Sequence, residues 1–327
     1  MKGRVLITGA SGFVGFHLTE AAIQAGLEVF ACVRASSVTD QLKEMDIRFT
    51  SIDFSDKEAI RKNFEENRYD YVIHAAGLTR AKSVEEYTEV NARYTLNLGE
   101  VAATFPLKKF VFLSSLAAIG PIQYDSEFAI NEANLPQPVT EYGRSKLLAE
   151  RWIANIKGLP LIILRPTAVY GPREKDIYIM FKTLNNGLEP YIGRTNQWLS
   201  FVYVKDLAAI TIKALVANTE RNMYVISDGK AYDRYALASL SKKILAKRTL
   251  RFHVPMGLVR LIAGTLETFA TGSKPPTLSK EKLNELAAEN WSCNIEKAKE
   301  ELGYEPKYDL EAGLQETLSW YRENKWL

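Results

Sequence analysis

Two cysteines, Cys32 and Cys293, are all that 327 residues carry, and they lie far apart in the chain. That excludes a disulfide framework. Charge of one sign is equally scarce. Lys and Arg number 42 against 39 Asp and Glu, which leaves +3, and the basic residues are spread without long like-charged runs. Such a balance gives no footing for nucleic acid or an anionic membrane. The longest apolar stretch of the C-terminal half, Phe252 to Ala270, is interrupted by Arg260 and Glu267 and is too broken to span a bilayer. Residues 1–15 lack the charged, then apolar, then small pattern of a signal peptide, so the expected location is the cytosol. Tandem repeats and low-complexity tracts are missing too. The remaining composition, 46% hydrophobic and 25% charged, is that of a globular protein long enough for one large α/β domain with a smaller lobe.

What is present starts at once. Val5-Leu-Ile-Thr8 runs into Gly9-Ala-Ser-Gly12-Phe-Val-Gly15, three glycines spaced three apart. A strand that ends in such a turn exposes backbone N–H groups at a helix N-terminus, where a pyrophosphate binds. Gly9 permits the sharp turn, Gly12 lets the backbone approach phosphate, and Gly15 lets helix and strand pack closely. Short apolar runs then alternate with amphipathic segments: strands at 28–33, 48–52, 71–76, 109–114 and 161–164, helices at about 12–25, 83–104 and 141–157. Ser55 with Glu58, and Ser83 with Glu86, read as capping boxes. The alternation predicts a doubly wound parallel α/β sheet with ligands at its carboxyl edge. Past Arg165-Pro166 the chain becomes loop-rich, then strand-like at 201–204 and 222–227, then mostly helical, with Asp233, Ser279, Asn294 and Asp309 as N-cap candidates and Gly303 as a stop. We expect a dinucleotide domain over 1–170 and a mostly helical substrate lobe over 171–327, with about 200–230 returning to the sheet.

Tyr142 and Lys146 lie four apart at the start of a helix, hence on one face. An ammonium beside a phenol favours phenolate, which would bring the tyrosine down from about 10 toward useful acid–base work. Ser114 and Ser115 end the fifth strand, where a hydroxyl can hold a substrate carbonyl. Taken singly, each of these reads first as a surface pair or a strand-end cap.

Together with the glycine turn they resemble the extended short-chain dehydrogenase/reductase family, in the NAD-dependent epimerase/dehydratase superfamily. The matches are ordered: Thr8 to Gly15, Asp53, His74-Ala-Ala-Gly77, Asn91, Ser115 five before Gly120, Tyr142 with Lys146, Arg165-Pro-Thr-Ala-Val-Tyr-Gly-Pro-Arg173, and Phe201-Val-Tyr-Val-Lys-Asp206. They cover residues 4–210 strongly and the last third weakly. The resemblance implies a catalytic Ser115, Tyr142 and Lys146. It implies a cofactor bed of Gly9, Ser11, Gly12, Phe13, Val14, Gly15, Arg34, Asp53, Phe54, Ala75, Ala76, Gly77, Tyr142, Lys146, Pro166 and Val169. Thr79, Leu116, Ala117 and Arg173 would meet a small-molecule substrate, and no metal is called for. Intact Ser115, Tyr142 and Lys146 speak against a non-catalytic dinucleotide sensor.

Departures narrow the branch. NAD-binding members usually end the second strand with an acid; Arg34 stands here and suits a 2′-phosphate, so NADP(H) is expected with NAD(H) as the alternative. Leu116-Ala117 replaces the Asp-Glu of 4,6-dehydratases. Leu199-Ser200 stands where epimerases commonly carry an arginine for the substrate diphosphate, although Arg173, Arg194 or Arg80 can substitute. The chain looks most like the dihydroflavonol reductase and 3β-hydroxysteroid dehydrogenase branch, with a nucleotide-sugar epimerase holding NAD as the alternative. The apolar stretch Val254–Phe269 is either pocket lining or a core-facing helix. Family members often form homodimers through the helices at 83–104 and 141–157, and Tyr87, Val90, Tyr94, Leu98 and Val101 make an apolar stripe on the first of these.

Overall fold

The computed structural model describes residues 2–219, 221–269 and 280–327. The first half alternates as β1 (Arg4–Thr8), α1 (Phe13–Gln24), β2 (Glu28–Cys32), β3 (Arg48–Thr50), α2 (Lys57–Asn67), β4 (Tyr71–His74), α3 (Val84–Tyr87), α4 (Tyr94–Ala102), β5 (Lys109–Leu113), α5 (Glu141–Ala154) and β6 (Leu161–Pro166). The second half adds β7 (Ala168–Tyr170), α6 (Tyr178–Asn185), β8 (Leu188–Ile192), β9 (Trp198–Leu199), β10 (Phe201–Tyr203), α7 (Val204–Ala214), β11 (Asn222–Ile226), β12 (Tyr232–Asp233), α8 (Ala236–Leu245), β13 (Leu250–Val254), α9 (Met256–Phe269), α10 (Lys280–Ala287), α11 (Glu296–Leu302) and α12 (Leu310–Glu323).

Seven parallel strands form the main sheet in the order β11-β6-β5-β4-β1-β2-β3. Helices cover both faces, so central strands are buried throughout and read as unbroken apolar runs. Alternation along each strand splits the core. Val5, Ile7, Ile73, Val111 and Leu164 pack with Leu18, Leu207 and Ala298 on one face. Leu6, Val72, Phe110, Phe112 and Ile163 pack with Phe64, Leu98 and Ile153 on the other. The chain runs outward from β1 to β3, then restarts at β4 on the far side of β1. The carboxyl ends of β1 and β4 therefore bound the switch-point crevice.

Several local expectations are corrected. Asp56, not Ser55, caps α2, its side chain accepting from the Glu58 N–H, because the Ser55 hydroxyl is already turned onto Asp53. The segment 83–104 is one continuous helical run but not a regular one. Between α3 and α4, Thr88–Arg93 takes a π-helical turn. Ser83 does cap its start, accepting from Glu86 N–H. Within its apolar stripe Tyr87, Leu98 and Val101 are buried, while Val90 and Tyr94 are only half-buried. Of the two later strand-like runs, Asn222–Ile226 joins the sheet beside β6. Phe201–Tyr203 instead pairs with Ala168–Tyr170 in a separate ribbon. Asp233 and Asn294 sit just outside their helices, accepting from Tyr235 N–H and Glu296 N–H, while Asp309 caps α12 directly. Ser279 lies outside the described residues.

The second hydrophobic centre gathers Tyr170, Phe181, Tyr203, Leu245, Leu314, Leu318 and Tyr321. Gly313 is required there. A Cβ on it would stand 2.1 Å from the Tyr170 hydroxyl. In the Val254–Phe269 stretch, Val259 packs on Leu283 beside Val254 and Ile192, while Leu258 and Leu261 are exposed. The side chains of residues 263 and 265–269 lie outside the described residues. Among the described residues no helix is long and apolar enough to cross a membrane.

Candidate active site

The glycine turn is built as its spacing implies. Gly9 has φ +72°, and the Gly12 N–H closes the turn on Gly9 O at 2.9 Å. A Cβ on Gly15 would lie 2.0 Å from Gly9 O, so only glycine lets α1 start this close to β1. A Cβ on Gly9 would press on Ala76 N–H at 2.9 Å, which ties the turn to the loop after β4. Like α6, α7, α8 and α11, α1 opens with no side-chain cap, here on Gly12 at the end of the glycine turn. Its first-turn N–H groups and the positive end of its dipole are thus left for an external anion. Below them Thr8 Oγ lies 2.7 Å from His74 Nδ1 and accepts from Ala76 N–H at 3.1 Å. His74 Nε2 meets Thr95 at 2.9 Å. Complete burial, with the Lys146 charge, holds His74 down at about 3, so it works as a neutral spacer.

Ser115 follows β5 and caps a short 3₁₀ turn, Leu116–Ala118, by accepting from Ala117 N–H at 3.1 Å. Its proton remains free to be donated. Helix α5 starts opposite because Thr140 caps it, accepting from Gly143 N–H at 3.0 Å. Gly143 lets the helix touch that turn, since a Cβ would lie 2.3 Å from Ala117 O. Tyr142 is thereby brought to a hydrogen bond with Ser115, next to Tyr87. One turn on, the Lys146 ammonium donates to Leu113 O at 2.9 Å and sits 4.8 Å above the Phe112 ring. Asn91, in the π-helical turn, accepts from Leu78 N–H and donates to Leu78 O and the Ser145 hydroxyl. It braces the loop after β4 against α5. A Cβ on Gly77 would stand 3.0 Å from Asn91 Oδ1 and 3.2 Å from the Lys146 ammonium. The structure thus gathers Gly9–Gly15, Ala75–Gly77, Asn91, Ser115, Tyr142 and Lys146 along one edge.

The electrostatics differ from expectation. Tyr142 ends above its ordinary value, not below it. Burial pushes it up to about 12, opposed by the Ser115 hydrogen bond and reinforced by the charge of Glu285. Lys146, buried as well, is pushed down to about 8, with Glu150 acting against that. Desolvation is the largest cause for both, because both groups are dry.

The other candidates are scattered more widely. Leu116 packs with Ile119, Ile130, Val225 and Trp291, and Ala117 is buried beside it. The Arg173 guanidinium lies 3.6 Å from the Phe16 ring centroid and 5.8 Å from that of Trp320. Thr79 O accepts from the Tyr87 hydroxyl, and Arg80 pairs with Asp176. Asp53 is exposed and accepts from the Ser55 hydroxyl at 2.6 Å and from Ser55 N–H at 2.9 Å, which keep its carboxyl low. Phe54 lies by the His74 ring, Pro166 ends β6, Val169 lies in β7, and Ser11, Phe13 and Val14 line the turn itself. Arg34 is exposed, its N–H donating to Ser37 Oγ at 3.1 Å. Two groups escaped the sequence reading. Glu285 comes from α10, late in the chain, and no local pattern marks it. Glu150 and Arg165 form a bidentate buried pair at 2.9 and 2.6 Å. The i+4 spacing of Glu150 from Lys146 was its available signal.

Residues 5–227 match the model of the family described as "NAD dependent epimerase/dehydratase family". The chain is 25% identical, over 98% of both chains, to sterol-4-alpha-carboxylate 3-dehydrogenase, decarboxylating, of Candida albicans. Its fold is similar to that of UDP-glucose 4-epimerase from Thermotoga maritima solved with UDP-glucose, at TM-score 0.81 and 23% identity over 98% of this chain and 99% of that one. It is also similar to the Thermus thermophilus UDP-glucose 4-epimerase complex with NAD, at TM-score 0.78 and 24% identity over 98% and 99%.

Proposed function

The chain belongs to the NAD dependent epimerase/dehydratase family, an enzyme family of the extended short-chain dehydrogenase/reductase type, and from that premise we propose that it interconverts a carbonyl and a secondary alcohol with Tyr142 as general acid/base. The observation that carries the reading is the meeting of Ser115, at the end of β5, with Tyr142 at the start of α5, and Lys146 one turn further along that helix donating to Leu113 O. The uncapped α1 N-terminus, the Gly9–Gly15 turn and the Ala75–Gly77 loop fit a dinucleotide, with Asp53 toward its adenine and Lys146 toward its nicotinamide ribose. When bound, that cofactor supplies or accepts the hydride. Ser115 donates a hydrogen bond to the substrate oxygen. Tyr142 gives that oxygen a proton on reduction and takes it back on oxidation. Thr79, Leu116, Ala117 and Arg173 remain the proposed substrate contacts, and Lys146, by its charge, eases loss of the Tyr142 proton.

For the branch we favour one-step redox on an apolar carbonyl or alcohol. Leu199 packs against the cluster that holds Leu116, Ile119 and Trp291, where an arginine would serve a diphosphate, and a sterol dehydrogenase is among the relatives. The epimerase alternative is supported by the folds named above. Mass measurement of the as-purified protein under native conditions separates them. An empty site that takes up dinucleotide reversibly supports the reductase, and a retained, stoichiometric NAD sinks it. We further propose NADP(H) as the preferred cofactor, held through Arg34. Catalytic efficiency with NADP(H) relative to NAD(H) should fall about 10-fold or more in Arg34→Ala, one charge-assisted phosphate contact being worth roughly 1.5–3 kcal/mol. An unchanged ratio overturns the assignment. A cytosolic homodimer built on α4 and α5 completes the proposal.

A further inference from the structure

Three consecutive residues at the end of β5 are tied to three side chains on one face of α5. Leu113 O accepts from Lys146, Ser114 donates to Glu150, and Ser115 meets Tyr142. The helix residues are four apart each time, Tyr142, Lys146 and Glu150, so one stripe of α5 is stitched to the strand that carries the serine. The far end of the stripe is closed by Arg165 of β6, which grips both Glu150 oxygens. Ser114, Glu150 and Arg165 are 4%, 3% and 3% exposed.

A buried ion pair is a costly way to hold a helix. An apolar pair of similar volume is often as stabilising. Its retention beside the site therefore asks for a task that apolar groups cannot do. We propose that Glu150 is a positioning residue for the acid–base site, setting the register of α5, and with it the places of Tyr142 and Lys146, against Leu113–Ser115. This rests on the reading of Tyr142 and Lys146 given above.

The charge balance around Lys146 shows why a carboxylate matters. Glu150 faces it from α5, His74 from β4, and Arg165 from β6 through Glu150, while Tyr87 of α3 and Glu285 of α10 face Tyr142 one turn earlier on α5. His74 is neutral, and Tyr142 is neutral until it reacts. Among these groups Glu150 is the one that raises Lys146 against its burial. An uncharged Lys146 would no longer favour phenolate, and the acid–base step would fail at pH values where the wild type still turns over.

The test reads Lys146 directly. Protein labelled with [6-¹³C]lysine is titrated by NMR without cofactor, the Lys146 signal being assigned by its loss in Lys146→Met. In Glu150→Gln the Lys146 midpoint should fall by about one unit, and the pH profile of kcat should move with it. Ser114→Ala cuts only the strand tie, so it should lower kcat without moving the midpoint. Glu150→Asp should restore most of the midpoint. If Glu150→Gln does not fold, Glu150→Met with Arg165→Met removes the pair without stranding a charge, and the same midpoint is read. A Lys146 midpoint unchanged in the variant that folds, with only a lower Tm, overturns the proposal and leaves the pair a structural clamp. The titration needs no turnover, so an absent activity and a failed positioning role are told apart.

Discussion

Tyr142→Phe should lose about 10²–10⁴-fold in kcat, the usual contribution of a positioned acid or base, while dinucleotide affinity stays within a few-fold of wild type. The ring and its packing against Tyr87 survive, and only the hydroxyl that meets Ser115 disappears. The pH dependence has a definite sign. With burial holding the phenol near 12, Tyr142 is protonated at neutral pH and ready to act as an acid. Carbonyl reduction should then be flat through neutrality and fall as Lys146 loses its charge above about 8, whereas alcohol oxidation needs the phenolate and should climb from acid pH until Lys146 discharges. Bound oxidised nicotinamide, being cationic, moves the Tyr142 midpoint down. Both limbs should vanish in the phenylalanine variant. Steady-state rates in each direction across pH 6–10 check this, and a variant that keeps wild-type turnover would end the acid–base assignment.

Gly15→Ala should cripple cofactor binding and cost about 1–3 kcal/mol of stability, the scale of overpacking. The new methyl would lie 2.0 Å from Gly9 O, 2.7 Å from Gly9 C and 2.8 Å from Ala10 Cα. All three are backbone atoms, so no rotamer change can relieve the clash. Either α1 is pushed off β1 or the turn opens, and both spoil the N–H geometry at the helix start. Gly257→Ala is the control, because nothing lies within 4 Å of a Cβ there. Thermal melts and dinucleotide titration calorimetry decide the matter, and wild-type behaviour from Gly15→Ala would refute the close-packing argument.

The strands of the sheet were readable because burial on both faces writes them as plain apolar runs, as in Phe110–Leu113. The site was readable because its chemistry demands particular residues at set spacings, Gly9 to Gly15 and Tyr142 to Lys146. What stayed hidden depends on partners distant in the chain. Leu188–Ile192 carries Pro190 and an exposed Leu188, and it becomes a strand only through pairing with Leu250–Val254. The direction of the Tyr142 shift is not legible in the sequence, because pair spacing says nothing about dryness. Glu285 reaches the site from a helix with no mark of its own. Ser55 and Asp56 differ by one position, and which of them caps α2 was settled by Asp53 competing for the serine hydroxyl.

The π-helical turn at Thr88–Arg93 has a consequence for how this helix is written. A widened turn holds one residue more than an α-helical one, so everything after it is rotated by roughly 100° relative to a regular helix. No single helical wheel can describe 84–102. Asn91 is aimed at Leu78 and Ser145 in one phase, and Leu98 and Val101 meet the sheet in another. The extra residue works as a gear change, letting one helix serve the site at its start and the core at its end.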